Sequence, residues 1–200
     1  MIMRIVSGGI LILILFTLPL YAGPPLDTLQ TEVNKVLDLL RQKKLKDETK
    51  KERLEEIYGR MFDEVEMGRR TLARNWAKLN PSQQQEFVRL YRQILAKAYL
   101  DKILTYTNEK IIYTRENLLS QDQAEIQTKI ITASKEIPIN YRMIMKDKVW
   151  KVYDVVVENV SLVQNYRSQF NSILANKTPD QMIEILKKKA QSQQEGKKGS

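Results

Sequence analysis

The side chains of this sequence that could act in acid–base chemistry are carboxylates, because the chain contains no histidine and no cysteine. Serine–histidine and cysteine–histidine nucleophilic pairs are therefore excluded, as are metal sites built from imidazole or thiolate ligands. The same absence excludes a disulfide framework, so burial must stabilise the fold. A catalytic site would need two Asp or Glu residues at a suitable distance.

Asp154 and Glu158 are the candidate pair. Four residues apart on a predicted strand, they would share a face and lie about 13 Å apart at roughly 3.3 Å per residue. Paired carboxylates of glycoside hydrolases lie only about 5–9.5 Å apart. A carboxylate hydrolase is therefore the weakest hypothesis. We expect Asp154 to be structural, accepting hydrogen bonds from the backbone, Arg142 or Arg167.

The stretch 149–170 (VWKVYDVVVENVSLVQNYRSQF) predicts a strand that turns into a helix. Aromatic and β-branched residues fill Val149 to Val157, which is typical of a strand. Apolar residues recur at helical spacing from Leu162 to Phe170. Between them, Asn159 and Ser161 supply turn and N-cap chemistry. A junction of this kind can line one wall of an apolar cavity.

The order of periodicities predicts an α+β fold, with helices before and after an antiparallel sheet. Short connections, including the two-residue hairpin Asp147-Lys148, predict a meander. The expected helices are 26–40, one from Asp47, 64–75, 82–105 and one that begins at Thr178. The four expected strands are Lys110–Leu118, Ala124–Ala133, Ile137–Lys146 and Val149–Val157. A twisted four-stranded sheet with helices on one face would enclose a tapered apolar space.

The first 22 residues predict a secretory signal peptide that is cleaved after Ala22. Arg4 provides the positive start, and Ile10 to Phe16 is an unbroken apolar core. The whole apolar stretch is shorter than the ~20 residues that span a bilayer, although an uncleaved anchor is the alternative. We expect an exported protein in which residues 23–190 form one domain and residues 191–200 a disordered basic tail.

The formal net charge of +9 favours anionic partners such as lipid head groups or acidic proteins. Export makes nucleic acid the least expected of these partners. Arg69, Arg70 and Arg142 are candidates to receive a phosphate or an acidic surface, with solvated charge as the simpler interpretation.

Four motifs together resemble a known family. They are VYDVVVENVSLVQNYRSQF at 152–170, FDEVEMGRRTL at 62–72, NWAKLNPSQQQEF at 75–87 and the hairpin at 141–155. This combination is similar to the toluene-tolerance/MlaC family of periplasmic phospholipid-binding proteins, over roughly residues 26–190. The sequence departs from the family at Asn159, where glycine is common. Since Asn tolerates left-handed backbone, we expect the corner to be kept.

The resemblance implies a cone akin to nuclear-transport-factor-2-like or cystatin-like folds, a small helical subdomain, and a deep cavity for phospholipid acyl chains. It implies a periplasmic carrier, without enzymatic activity or cofactor. Such a carrier would pass lipid between an outer-membrane lipoprotein–porin complex and an inner-membrane ABC transporter with a lipid-receiving ring. We expect a monomer that binds no nucleic acid. The alternative is an exported basic adaptor that binds no lipid and has a filled core.

Eight apolar or amphipathic residues are the expected wall of the lipid cavity, because they lie on helix and strand faces that should converge. They come from the long helix, the third and fourth strands and the helix after the corner. The eight are Tyr91, Leu95, Tyr99, Tyr141, Met143, Trp150, Val152 and Phe170. A carrier predicts a continuous cavity between the sheet and the long helix, whereas a filled core is close-packed.

Overall fold

The structure, a computed structural model, describes residues 24–106 and 109–195. In these two ranges the helices are α1 (Pro25–Arg41), α2 (Asp47–Met61), α3 (Glu64–Leu72), a 3₁₀ helix (Ala73–Lys78), α4 (Pro81–Leu104), α5 (Leu162–Leu174) and α6 (Pro179–Glu195). The predicted signal peptide lies outside the described residues. Helix α6 reaches into the segment 191–200 that the sequence predicts as a tail. None of the described helices is long and apolar enough to cross a membrane.

The described strands form one antiparallel sheet in chain order. They are β1 (Lys110–Leu118), β2 (Gln123–Ile131), β3 (Glu136–Lys146), β4 (Val149–Val157) and β5 (Val160–Ser161). The α+β class and the meander are confirmed, but the sheet has a fifth strand that the sequence did not predict. With two residues, β5 is too short to show an alternating pattern.

Two tight turns fix the ends of β4. Asp147 and Lys148, between β3 and β4, have φ of 51° and 64°, and Glu158 and Asn159, between β4 and β5, have φ of 48° and 67°. Two consecutive residues with positive φ give the turn twist that suits hairpins. The expected left-handed backbone at Asn159 is confirmed. The placement of Glu158 on a strand face beside Asp154 is wrong, because Glu158 lies in the turn.

A β-bulge at Tyr153 changes which face of the sheet the residues of β4 point to. Asp154 pairs with Arg142 and Val152 pairs with Met143, so Tyr153 is an extra residue with no opposite partner. Because a bulge shifts the alternation, Val152 faces α1 while Asp154 points to the start of α5.

Two helix starts are capped as the sequence indicates. Asn80 Oδ1 accepts from Gln83 N, and the Gln83 side chain accepts from Asn80 N, both at 2.9 Å. Ser161 Oγ accepts from Gln164 N at 3.0 Å and so fixes the first turn of α5. The corner between sheet and helix is therefore a defined junction.

The buried residues form separate apolar clusters. The helical cluster joins α3, α4, α5 and α6, whereas the sheet cluster joins one face of the sheet to α1. Phe62 packs against both of them. Helix α4 packs on α3 and α6 rather than across a cavity from the sheet. The expected opposition of the long helix and the sheet is therefore wrong for the body of α4, and α1 covers the sheet face there.

Candidate functional site

A pocket of about 390 Å³ lies between α1, α2 and the β3–β4 hairpin. This volume is in the lower part of the range of about 300–1,000 Å³ that protein ligand pockets occupy. Two of the eight predicted wall residues, Met143 and Trp150, line it. The lining residues are Thr28, Leu29, Glu32, Gly59, Arg60, Met61, Met143, Val149, Trp150 and Lys151.

The apolar wall of the pocket belongs to the sheet cluster. Leu29 and Met143 are almost fully buried, and Trp150 is 4% exposed. Met61 closes the wall from the end of α2. Methionine side chains adapt to irregular shapes, so two of them give this wall a deformable surface.

Charged side chains complete the lining of the pocket. Glu32 Oε2 lies 3.5 Å from Arg60 Nε, and the Arg60 side chain is 53% exposed. Lys151 from β4 is a second cation. With two cations and one carboxylate, the polar part of the lining can accept an anionic group beside the apolar wall.

Gly59 keeps part of the pocket open. A Cβ atom built at this position would meet no atom within 4 Å, although Gly59 lies inside α2. Glycine in the interior of a helix costs roughly 0.5–1 kcal/mol relative to alanine. The space beside α2 is therefore open where a side chain would otherwise stand.

Four of the eight predicted wall residues meet in the sheet cluster. Tyr141, Met143, Trp150 and Val152 lie on the face that α1 covers. Cross-strand pairing brings Met143 opposite Val152, and Trp150 lies opposite Met145. The alternation of apolar residues therefore placed these four side chains on one face.

The remaining four predicted wall residues lie in the helical cluster or pack against it. Tyr91, Leu95 and Phe170 are buried there, and Tyr99 packs against them. The Tyr91 and Phe170 rings meet edge to face with centroids 5.7 Å apart. The expectation that all eight faces converge on one space is wrong, because these α4 and α5 residues pack with α3 and α6 in the helical cluster. Contact of any of the eight with a ligand stays a prediction.

Asp154 is held by three donors and has the structural role that the sequence predicted. Ser161 Oγ donates to Oδ2 at 2.6 Å, Arg142 Nη1 to Oδ2 at 3.2 Å, and Val163 N to Oδ1 at 3.1 Å. Arg167 does not reach it, since its guanidinium donates to the carbonyl oxygen of Arg70. The described residues also contain no cluster of three carboxylates that could hold a metal ion.

Three tyrosines lie where α1 and the end of α4 approach the sheet. The Tyr113 hydroxyl is buried without a hydrogen-bond partner, and burial raises the pKa of Tyr113 to about 12. Burial also raises the pKa of Tyr141, with further contributions from Tyr113 and Tyr106. The unpartnered hydroxyl is a donor available to a polar group that enters this region.

The sequence did not point to the α1 and α2 residues of the pocket. Leu29 and Met61 lie on ordinary amphipathic helices, whose pattern shows which face is buried but not what covers it. The one available signal was Gly59, because an isolated glycine within a charged helix often has a packing or functional reason.

The chain is an α+β protein in which helices cover one face of an antiparallel meander. A pocket of the size of a small ligand lies between the helices and the sheet. A sequence model of the MlaC protein family matches residues 30–188. The chain therefore belongs to the MlaC family, and the resemblance found in the sequence is confirmed.

Two known proteins are similar to this chain. The intermembrane phospholipid transport system binding protein MlaC of Haemophilus influenzae is 25% identical over 128 residues, which cover 62% of this chain and 60% of that protein. A solved structure of a phospholipid-binding protein from Ralstonia solanacearum, in complex with a phospholipid, has a TM-score of 0.77 at 16% identity. The similarity covers 85% of this chain and 98% of that one, and it confirms the fold.

Proposed function

We propose that this protein is a periplasmic phospholipid-binding carrier that moves lipid between membranes and catalyses no reaction. The observation that carries the proposal is the match of the MlaC family model to residues 30–188, and the pocket of about 390 Å³ against the apolar sheet face is the candidate binding site. The names of both relatives, which refer to phospholipid, point to the same ligand.

Desolvation of acyl chains supplies the driving force for binding. Each methylene that leaves water contributes about 0.8 kcal/mol, so a carrier needs an apolar surface of sufficient extent and no directional bonds to the chain. Leu29, Met143 and Trp150 form the apolar wall of the pocket but are at most 4% exposed, so an acyl chain would reach this wall only as the side chains around it move. A flexible chain would profit from the adaptable Met61 and Met143 side chains.

The head group would remain beside the charged lining residues. The phosphate of a phospholipid carries a negative charge, and Arg60 and Lys151 are cations on the pocket lining. Arg60 forms an ion pair with Glu32, with Nε and Oε2 3.5 Å apart, so the carboxylate compensates only part of the Arg60 charge. Arg60 and Lys151 can therefore attract the phosphate while they remain in contact with water, without the desolvation cost of a buried ion pair.

The partners of this carrier would be the two membrane complexes that the family resemblance implies. One is an outer-membrane lipoprotein–porin complex, and the other an inner-membrane ABC transporter with a periplasmic ring. The carrier would travel between them as a monomer, after removal of residues 1–22. Asp154 would take no part in chemistry, since backbone and side-chain donors occupy its carboxylate.

Transfer of labelled phospholipid between two populations of vesicles tests the proposal. Wild-type protein should accelerate the appearance of labelled phosphatidylglycerol in acceptor vesicles, in proportion to protein concentration. Labelled phospholipid that is chemically unchanged after transfer would agree with a carrier that catalyses no reaction. A rate equal to the protein-free rate would contradict the proposal.

A further inference from the structure

The turn between β1 and β2 carries the most exposed large apolar side chains of the part of the chain that the structure describes. Leu118 is 68% exposed and Leu119 is 58% exposed. Isolated apolar residues on a surface are common, but two adjacent leucines at the tip of a hairpin form a compact apolar projection. We call residues 118–122 the leucine turn.

The leucine turn is held in place by backbone hydrogen bonds. Leu119 N and Ser120 N donate to Gln123 O at 2.8 Å and 3.2 Å. Met145 N, from β3, donates to Asp122 O at 2.8 Å. The two leucines are therefore presented on a fixed scaffold, which lowers the entropic cost of inserting them into an apolar phase.

The leucine turn lies at the same end of the sheet as the pocket. Leu118 pairs with Ala124, and Ala124 pairs with Met143, so the three residues form one row across the sheet on one face. Two strand spacings of about 4.8 Å separate Leu118 from Met143, which lines the pocket. Val149, also a lining residue and 48% exposed, follows the neighbouring β3–β4 hairpin.

Charge at this end of the sheet is mixed. Lys146 and Lys148 lie at the β3–β4 turn, where Lys146 Nζ pairs with Asp63 Oδ2 at 3.2 Å. Asp122 accepts a hydrogen bond from Ser120 Oγ, and Asp147 is the acidic residue of the neighbouring hairpin. Without residues 1–22, whose one charged residue is Arg4, the chain has 32 basic and 24 acidic residues and a formal charge of +8, which attracts it to anionic lipid over longer range.

We propose that the leucine turn inserts into the interfacial region of a bilayer that contains anionic phospholipid, and so places the pocket against the membrane. This inference rests on the proposed function, because it assigns the surface by which the carrier approaches the membranes that hold its partner complexes. Charge brings the protein to the surface, and Leu118 and Leu119 add burial of apolar side chains, as in other interfacial membrane contacts.

Vesicle flotation with a matched pair of variants tests the inference. The vesicles contain phosphatidylethanolamine and phosphatidylglycerol, and the variants are Leu118→Ser/Leu119→Ser and the control Val160→Ser. Val160 is 54% exposed but lies in β5, at the opposite end of the sheet. Binding of the leucine variant should be about tenfold weaker, equivalent to a loss of about 1.4 kcal/mol. Binding of the control should equal that of the wild type.

Equal binding by wild type and leucine variant, or no binding of the wild type, would overturn the inference. A second measurement covers the case in which the double serine variant does not fold. Because the chain has no cysteine, Leu119→Cys and the control Val160→Cys can each carry one environment-sensitive fluorophore. Emission should shift to the blue with vesicles only at position 119, and equal shifts at both positions would overturn the inference.

Phospholipid extracted from the same purified samples separates this inference from the proposed function. A leucine variant that keeps its phospholipid but loses vesicle binding supports both. Wild-type protein that carries phospholipid without floating contradicts only the leucine turn. Wild-type protein that floats through Leu118 and Leu119 but never holds phospholipid contradicts only the carrier function.

Discussion

Ser161 and Asp154 form a reciprocal link between the sheet and the helices. Ser161 Oγ donates to Asp154 Oδ2 at 2.6 Å and accepts from Gln164 N at 3.0 Å. The same serine therefore caps α5 and binds the carboxylate of β4. Through this pair the direction of α5, and with it the helical cluster, is fixed relative to the sheet.

Replacing Asp154 with asparagine should lower the free energy of unfolding by about 2 kcal/mol. The substitution removes the charge that pairs with Arg142 and weakens the bonds from Ser161 and Val163. Urea denaturation measures the difference. The control Glu158→Gln, in an exposed turn, should change stability by less than about 0.5 kcal/mol. Equal values for both variants would show that the link does not stabilise the fold.

Two glycine-to-alanine substitutions should have opposite effects on stability. Gly59→Ala should stabilise the protein by about 0.5–1 kcal/mol, because alanine favours the helix and the added methyl meets no atom within 4 Å. At Gly68, the same Cβ would lie 3.2 Å from Val88 Cγ2 and 3.4 Å from the Phe87 ring. Gly68→Ala should therefore destabilise by about 1 kcal/mol. Thermal melts would contradict this if both variants shifted in one direction.

Gly59→Phe should fill the pocket and reduce the amount of bound phospholipid, while Gly59→Ala should leave it nearly unchanged. Gly59 lines the pocket together with Met143 and Trp150, so a phenyl group at this position would take up pocket volume. Phospholipid per protein, quantified after organic extraction, gives the comparison. Equal lipid content in the two variants would place the ligand elsewhere.

The stability of the protein should fall steeply above pH 10. Unfolded tyrosines ionise near pH 10, whereas burial raises the pKa of Tyr113 to about 12 and also raises those of Tyr58, Tyr91 and Tyr141. The neutral hydroxyls thus contribute stability that is present below pH 10 and is lost as the pH rises through the folded-state values. Denaturant titrations at increasing pH measure this slope.

Tyr113→Phe should reduce the loss of stability above pH 10. At neutral pH it should raise the free energy of unfolding by about 1 kcal/mol. The hydroxyl is buried without a hydrogen-bond partner, so its removal relieves a desolvation cost. A Tyr113→Phe variant that is less stable than the wild type at neutral pH would contradict this.

Trp150 should report ligand binding and Trp76 should not. Trp150 lines the pocket, whereas Trp76 packs edge to face on Phe87 in the helical cluster. Phospholipid with brominated acyl chains should therefore quench the Trp76→Phe variant more strongly than the Trp150→Phe variant. The reverse order would move the binding site to the helical cluster.

The sheet could be predicted from sequence because its signals are local. Alternating apolar residues and the turn at Asp147-Lys148 define β3 and β4 without knowledge of their neighbours. The bulge at Tyr153 could not be predicted, since it exists only in the pairing of two strands. The strand β5 was missed because Val160 and Ser161 show no period of their own.

The strand residues of the candidate site could be predicted from sequence, but its helix residues could not. Met143 and Trp150 were found because the alternation of their strands places them on the buried face. Phe170 was assigned to the same wall because a helical stripe shows that a face is buried but not which layer covers it. The order of packing between α1, α5 and the sheet depends on tertiary contacts that a single sequence does not show.

The central claim is that the apolar pocket holds phospholipid. Native mass spectrometry of protein purified without detergent, before and after incubation with liposomes, tests it most directly. We expect a bound mass that fragments to a phospholipid, and less of it in Gly59→Phe than in Gly59→Ala. Wild-type protein that is empty at purification and remains empty after incubation with liposomes would overturn the carrier function and favour an adaptor with a filled core.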